Sequence, residues 1–475
     1  MLATSPAFKQ NAAAALADPS LQKALSRTRP QGPAKRAAAV AALPEFEQLR
    51  DIGRDIKNHT LANLDFYLET WAGNVEKSGG VVHWCSTADD ARAAVLAICE
   101  KAGARTVTKG KSMISEELAI NEHLEKHGIE PVETDLGEYI LQIRKEPPSH
   151  IIGPAFHLNR EDWEASFRKS HTSLPADRVF NERRDILTEA RTLLREKFLA
   201  ADVGITGANF LIAETGSSVI VTNEGNGDLT QTLPRVHIVL ASIEKVVPTL
   251  EDACSLLRLL ARSATGQDLS VYTTFSTGGR RPGDLDGPEE YHVVLVDNGR
   301  SGMVGTEFQD MLRCIRCAAC MNHCPVYFAV GGHSYGWVYP GPMGSVLTPG
   351  LIGVDKAGHL PNATTFCGKC ESVCPVKIPL PKLMRHWRDR EFERHLVPAT
   401  MRSNLALWAW FARRPGAYRM ATRAAAWLLG TLGRSRGRFR SLPFAGGWTD
   451  GRDLPAPEGE TFFARYAREQ RAGRA

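Results

Sequence analysis

Cys314-Ile-Arg-Cys317-Ala-Ala-Cys320-Met-Asn-His-Cys324-Pro325 is the stretch on which the reading of this chain turns. Its spacing, C-x2-C-x2-C-x3-C-P, is the one by which bacterial ferredoxin-type segments hold iron–sulfur cubanes. Three thiolates two residues apart wrap one face of a cluster. The Pro after the fourth Cys fixes φ and donates no N–H, which steers that Cys away. In two-cluster proteins the fourth Cys ligates the other cluster, so a second motif is expected downstream. Cys367-Gly-Lys-Cys370-Glu-Ser-Val-Cys374-Pro375 supplies it. Structural zinc wants two ligand pairs around one tetrahedral site, and this pattern suits cubanes much better.

Two cubanes need eight thiolates, and the two motifs supply seven. Aligned on their Cys-Pro ends, the motifs place Thr364 where Cys314 stands. By crossover, the first cluster takes Cys314, Cys317, Cys320 and Cys374. The second takes Cys324, Cys367 and Cys370 and lacks a fourth thiolate. Three readings stay open: a non-cysteine or partner-supplied ligand, a three-iron cluster, or an open iron able to act as a Lewis acid on a hydroxy acid.

Working outward, 475 residues imply two or three domains. With 43% hydrophobic and 23% charged residues the chain has the composition of a soluble globular protein. A net charge of +5 is too mild to argue for nucleic acid. Seven of the ten Cys lie in the motifs, an odd count that fits a disulfide framework poorly; iron–sulfur sites call for a reducing compartment. The N-terminus lacks a basic then apolar signal pattern, and no run is apolar enough to span a membrane. The expected location is the cytoplasm, with peripheral contact at the inner membrane as an addition.

Residues 1–45 read as a loosely ordered lead-in with a helical stretch. From Leu49 the spacing of Leu49, Ile52, Ile56, Leu64, Tyr67 and Leu68 predicts helix packed on the next domain. Residues 80–300 read as α/β. Val81–Trp84 is a strand, Thr87 and Asp90 form a capping box, Ala91, Val95, Ile98 and Ala102 share a helical face, and Arg105–Thr108 is the next strand. Ser115–His127 is read as one helix and Ile129–Glu133 as a strand. Further strands are placed at Phe210–Glu214, Val219–Thr222, Val236–Leu240, Val271–Phe275 and His292–Val296. A helix from Thr249 is expected to carry Leu250, Cys254, Leu257 and Ala261 inward. Alternating strands and helices imply a largely parallel, helix-covered sheet. Between the Cys motifs, Gly331–Pro342 has too many breakers for regular structure. Pro381 opens a helix with Leu380, Leu383, Met384 and Trp387 on one side. From His395 to Thr449 there is no Asp or Glu, and nine Arg alternate with aromatic residues. That basic stretch, broken at Pro415-Gly416, reads as a helical appendage, an interfacial helix on anionic lipid, or a dock for an acidic partner. The tail from Asp450 reads as a polar surface wrap.

Cys99 and Cys254 read as core residues, and Cys85 as core or site. His323 and His333 read as hydrogen-bonding neighbours of the ligands. Lys109-Gly-Lys-Ser112 fails as a phosphate loop because Arg105 stands where a Gly is needed, and Gly225-Asn-Gly-Asp-Leu-Thr230 breaks the dinucleotide fingerprint. No motif supports nucleotide or flavin binding. Gly204–Asn209, and Glu214–Ser218 with Asn223–Asn226, read equally as an anion pocket or as ordinary turns.

The stretches VTKGKSMISEEL (107–118), VETDLGEYILQI (132–143), PSHIIGPAFH (148–157), GITGANFLIAETGS (204–217), CIRCAACMNHCPVY (314–327), GGHSYGWVYPGPMGSVLTP (331–349), CGKCESVCPVKI (367–378) and GWTDGRDLPAPEGETF (447–462) resemble the lactate-utilisation protein B family. The resemblance implies a helical lead-in at 1–69 and an α/β lactate-utilisation domain at 70–297, similar to CoA-transferase and folate cyclo-ligase folds. It further implies an α-helical ferredoxin-type domain with two [4Fe-4S] clusters at 298–395 and a basic, aromatic region at 396–475, whose 396–440 part is the candidate membrane contact. The family shares the missing fourth Cys at Thr364. The implied function is electron transfer in a complex that oxidises L-lactate to pyruvate, with an A-like cysteine-rich protein and a C-like protein as partners. The alternatives are an enzyme acting on the hydroxy acid through its α/β pocket or an open iron, and a scaffold with purely structural clusters.

Overall fold

A computed structural model describes residues 4–442, 449 and 451–472. Gly447, Trp448 and Asp450, like Met1–Ala3 of the N-terminal reading, lie outside the described residues. The chain divides into two compact units, Met1–Glu391 and Phe392–Ala475.

The first unit holds ten strands: β1 (Val81–Cys85), β2 (Thr106–Gly110), β3 (Glu130–Glu133), β4 (Val203–Gly207), β5 (Phe210–Ile212), β6 (Ser217–Thr222), β7 (Val236–Ser242), β8 (Val246–Val247), β9 (Tyr272–Ser276) and β10 (Glu290–Val296). Six form a sheet in the order β1-β10-β7-β4-β2-β3, and every pairing is parallel. Side chains alternate between its faces. Val294 and Val296 join Ile238, Leu240, Val95 and Ile98 on one face. Val293 and Leu295 join Val239, Ala241, Leu68 and Trp71 on the other. Helices thus cover both faces, as a parallel sheet requires. A second, mixed sheet, β8-β5-β6-β9, takes strands that the sequence pattern had not separated from the first.

Several expectations need correction. The lead-in is ordered: Phe8–Ala17, Pro19–Thr28 and Gln31–Ala41 are helices, and Gln22 Nε2 donates to the Ala329 carbonyl at 2.9 Å. The Ser115–His127 helix is two helices, Met113–Glu117 and Ile120–Lys126, parted at Ala119, whose φ of 53° no α-helix accepts. Leu250 and Cys254 are exposed. The Leu250–Ala264 helix instead buries Ala253, Leu256, Leu257, Leu259 and Leu260, so the wheel read from sequence was rotated. Ile52 and Trp84 are also exposed. Strand β4 was missed because Gly204 and Gly207 made it look like a loop. A Cβ at Gly204 would lie 1.8 Å from the Thr230 carbonyl oxygen, so the strand needs Gly where the following helix crosses it.

The largest hydrophobic core joins the N-terminal helices, the second sheet and the cysteine-rich segment. Trp387 lies in it as expected, stacked on Phe308 at 3.8 Å and donating to the Val346 carbonyl at 2.9 Å. In the second unit, Ala399–Ala412 and Pro415–Gly433 are helices parted at the predicted break, and Phe462–Ala472 makes the described tail helical. Trp408, Trp410 and Trp427 are exposed. Among the described residues no helix is long and apolar enough to cross a membrane.

A buried ion network ties the sheet to the cysteine-rich segment. Arg300, after β10, has no exposed surface and pairs with Glu117 at 2.6 Å and Glu244 at 3.1 Å. Asn298 and Tyr339 donate to the Glu117 carboxylate, each at 2.7 Å, and Arg316 pairs with Glu244 at 3.0 Å. Breaking one partner of a buried pair costs about 3–5 kcal/mol. Arg300→Met is therefore expected to lower stability by about that amount in urea unfolding of the cluster-loaded protein, and Glu117→Leu added to it should recover part of the loss. A change below about 0.5 kcal/mol, the size usual for surface substitutions, would contradict the assignment.

Candidate iron–sulfur centres and an adjoining cavity

The two cysteine segments fold as a repeat. Cys324 and Cys374 stand fifty positions apart, and so do the one-turn helices Ala319–Asn322 and Lys369–Ser372. Left-handed backbone recurs at the same offset: Arg316 (φ 61°) matches Phe366 (φ 51°), and Ala318 (φ 59°) matches Gly368 (φ 75°). Non-glycine residues rarely adopt this conformation; here it curls each loop so that successive thiols turn inward. Backbone N–H groups past each Cys-Pro point back at sulfur, Tyr327 N to Cys324 Sγ at 3.5 Å and Ile378 N to Cys374 Sγ at 3.3 Å. Such bonds tune cluster potentials.

Cys314, Cys317, Cys320 and Cys374 line one cavity, walled otherwise by apolar residues such as Ile151, Met343 and Ile378. The thiol from the second motif thus stands with three from the first. Cys324, Cys367 and Cys370 are electrostatic neighbours of one another. Burial pushes Cys317 and Cys320 well up, Cys370 to about 12 and Cys374 to about 11, with neighbouring thiolates adding to the rise. Thiolates in such surroundings call for bound cations, and soft sulfur donors around a closed space fit an iron–sulfur cluster. Among the described residues no three His, Cys, Asp or Glu side chains are placed around a single metal ion.

Thr364, partly buried, spends its hydroxyl as acceptor of the Phe366 N–H at 3.0 Å. Cys367 is exposed, and the Lys369 N–H and the Thr365 hydroxyl hold its thiol below the usual value. Tyr335, fully buried, lies near Cys324 and Cys320 with an unpaired hydroxyl. His323 and His333 bond to the carbonyls of Ala319 and Pro147, each at 2.8 Å. Cys99 is buried as read, and Cys85 is buried at the end of β1 with its thiol pushed up to about 11 by burial.

The rest of the unit holds these loops from outside. Arg50 donates to the Cys374 carbonyl through Nε at 3.0 Å and Nη2 at 2.8 Å, and Arg36 to the Val373 carbonyl at 3.0 Å. Asn322, between two ligands, meets His150 at 3.0 Å and the Ala264 carbonyl at 3.3 Å. Burial keeps His150 neutral, down at about 4. Burial alone would raise the Glu244 carboxyl, but Arg300 and Arg316 hold it at about 2.

Beside this centre lies a cavity of about 660 Å³ at the carboxyl ends of β2, β4 and β7, the position where open parallel sheets bind ligands. Ile151 borders both spaces. Ala208, Asn209, Asn223 and Glu224 from the polar segments read in the sequence line it; Glu214–Ser218 does not. Lys109 is not a phosphate ligand. It is buried and paired with Glu116 and Glu133, both at 2.7 Å. Lys245, Arg316 and Tyr339 also line the cavity, and sequence reasoning passed over them. Arg316 stood in plain view inside the first motif, but nothing local tied it to Lys245 or Tyr339.

Residues 68–296 match the LUD domain, 310–378 the 4Fe-4S dicluster domain, and 395–471 the C-terminal domain of lactate utilisation protein B. Lactate utilization protein B of Shouchella clausii (strain KSM-K16) is 42% identical, covering 98% of each chain. Its namesake in Bacillus subtilis (strain 168) is 42% identical, covering 96% of this chain and 95% of its own. A crystal structure of a DUF162 family protein from Deinococcus radiodurans covers 49% of this chain and 98% of its own, at 15% identity and a TM-score of 0.26. With that identity along nearly its whole length, the chain belongs to the lactate utilisation protein B family.

Proposed function

We propose that this protein is the iron–sulfur electron-transfer subunit of a complex that oxidises L-lactate to pyruvate. Its two [4Fe-4S] clusters are held with crossed ligands, Cys314, Cys317, Cys320 and Cys374 on one, and Cys324, Cys367 and Cys370 on the other. The observation that carries this reading is Cys374, a second-motif thiol standing in the cavity of the first motif. Crossed ligation brings two one-electron carriers close together, which suits relaying the two electrons that lactate releases. The A-like and C-like lactate-utilisation proteins are the proposed partners. The cytoplasm is the proposed location, with the basic, tryptophan-bearing 396–440 segment contacting anionic lipid at the inner membrane face.

Lactate should not bleach the visible cluster absorbance of the purified chain under anaerobic conditions, whereas lactate plus the two partner proteins should. Robust lactate turnover by the chain alone overturns the assignment.

Thr364 marks the second cluster's open corner. Brief air exposure is expected to give a three-iron EPR signal in the wild type that Thr364→Cys suppresses. A wild-type spectrum with ordinary cubanes only would contradict incomplete thiolate ligation.

A further inference from the structure

The cavity at the carboxyl ends of β2, β4 and β7 has two cationic groups at its inner end, beside the Cys314 loop. Lys245 is 9% exposed, burial and the neighbouring Arg316 pull its amine down to about 7, and among the described residues it has no hydrogen-bond or ion-pair partner. Arg316 gives Nη2 to Glu244 at 3.0 Å and lies over the Tyr339 ring at 5.2 Å, but its Nη1 is buried without a partner. A buried donor left unsatisfied costs about 1–3 kcal/mol, more when charged. Lys245 lines the open cavity with no acceptor from the chain, and Arg316 adds positive charge beside it.

The outer part differs. Its mouth is marked by exposed Ile152, Leu187 and Glu224. Its one cation, Lys111, is already paired with Asp135 and with Glu224 at 3.0 Å. Phosphate or a second carboxylate would meet Asp135 and Glu224 with no free cation to offset them. Between the ends the lining is largely apolar, with Met113, Phe156, Trp163 and Leu260 among its residues.

We propose that this cavity binds an organic monocarboxylate with a bulky apolar body, its carboxylate received by Lys245, with the Arg316 side chain beside it. Charged N–H donors to carboxylate are the strong form of hydrogen bond. The volume of about 660 Å³ falls in the range of pockets for drug-sized ligands, so a three-carbon acid would leave most of it empty. The inference goes beyond the electron-transfer reading by giving this chain an acid site of its own, for acids larger than lactate, beside the Cys314 centre. The competing account is that Lys245 and Arg316 only balance the charge of the nearby thiolate cluster, which predicts no ligand.

The two accounts separate in equilibrium dialysis of the cluster-loaded full chain against 3-phenylpropionate, its uncharged amide, and acetate. The expected result is saturable binding of 3-phenylpropionate, at least about tenfold tighter than the amide or acetate, a gap of ~1.4 kcal/mol. Lys245→Gln should weaken the acid at least about tenfold and leave the amide unchanged, while Lys245→Arg should keep most of the acid's affinity. Equal binding of acid and amide, no saturable binding of the acid, or undiminished binding in Lys245→Gln overturns the proposal. Should Lys245→Gln fail to load iron, the acid-to-amide ratio in the wild type and in Lys245→Arg decides. The assay involves no electron transfer, so a failed relay would show in lactate-driven bleaching and leave this result intact.

Discussion

A network of charged side chains binds the halves of the first unit together: Glu117 from the helix after β2, Arg300 after β10 and Glu244 after β7, all buried, with the partly buried Arg316 from the first cysteine loop. Each charge would be costly alone in such surroundings, and each is held by an opposite charge from another segment. The network therefore fixes where the cysteine loop sits against the carboxyl edge of the sheet. Arg316 belongs to it and lies between two cluster ligands in sequence. Its left-handed backbone is the conformational cost of serving both the loop and the network.

Two spaces follow from that constraint. One is lined by four thiols; the other is a roomy cavity with Lys245 and Arg316 in its lining, and Ile151 borders both. The N-terminal helices close the arrangement from the far side, with Arg50 and Arg36 gripping the backbone of the second Cys-Pro turn. The lead-in thus reaches this turn through Arg36, and the helix expected from Leu49 holds Cys374 through Arg50. The thiol-lined space and the larger cavity share a wall at Ile151.

The 4Fe-4S dicluster domain was legible because its motifs are local: the cysteine spacing and the prolines are visible along the chain. The parallel sheet was legible through its continuous apolar strands, such as Val236–Leu240 and His292–Val296. Other features were not, for identifiable reasons. Gly204 and Gly207 disguise β4, since the crowding that demands them comes from Thr230 and Lys111, remote in sequence. Leu250 and Cys254 were misplaced because the buried stripe of the Leu250–Ala264 helix is shifted toward Ala253, Leu256 and Leu260, while Leu257 and Ala261 are buried as expected. The cavity was invisible as a whole, because its walls come from segments between Lys111 and Tyr339 that share no motif.

Crossed ligation is the central claim, and single-ligand replacement read by Mössbauer spectroscopy of iron-57-loaded protein tests it most directly. Cys374→Ser is predicted to alter the same cluster subspectrum as Cys314→Ser and to leave intact the one altered by Cys370→Ser. If Cys374→Ser instead alters the subspectrum shared with Cys370→Ser, the ligands do not cross and the account fails.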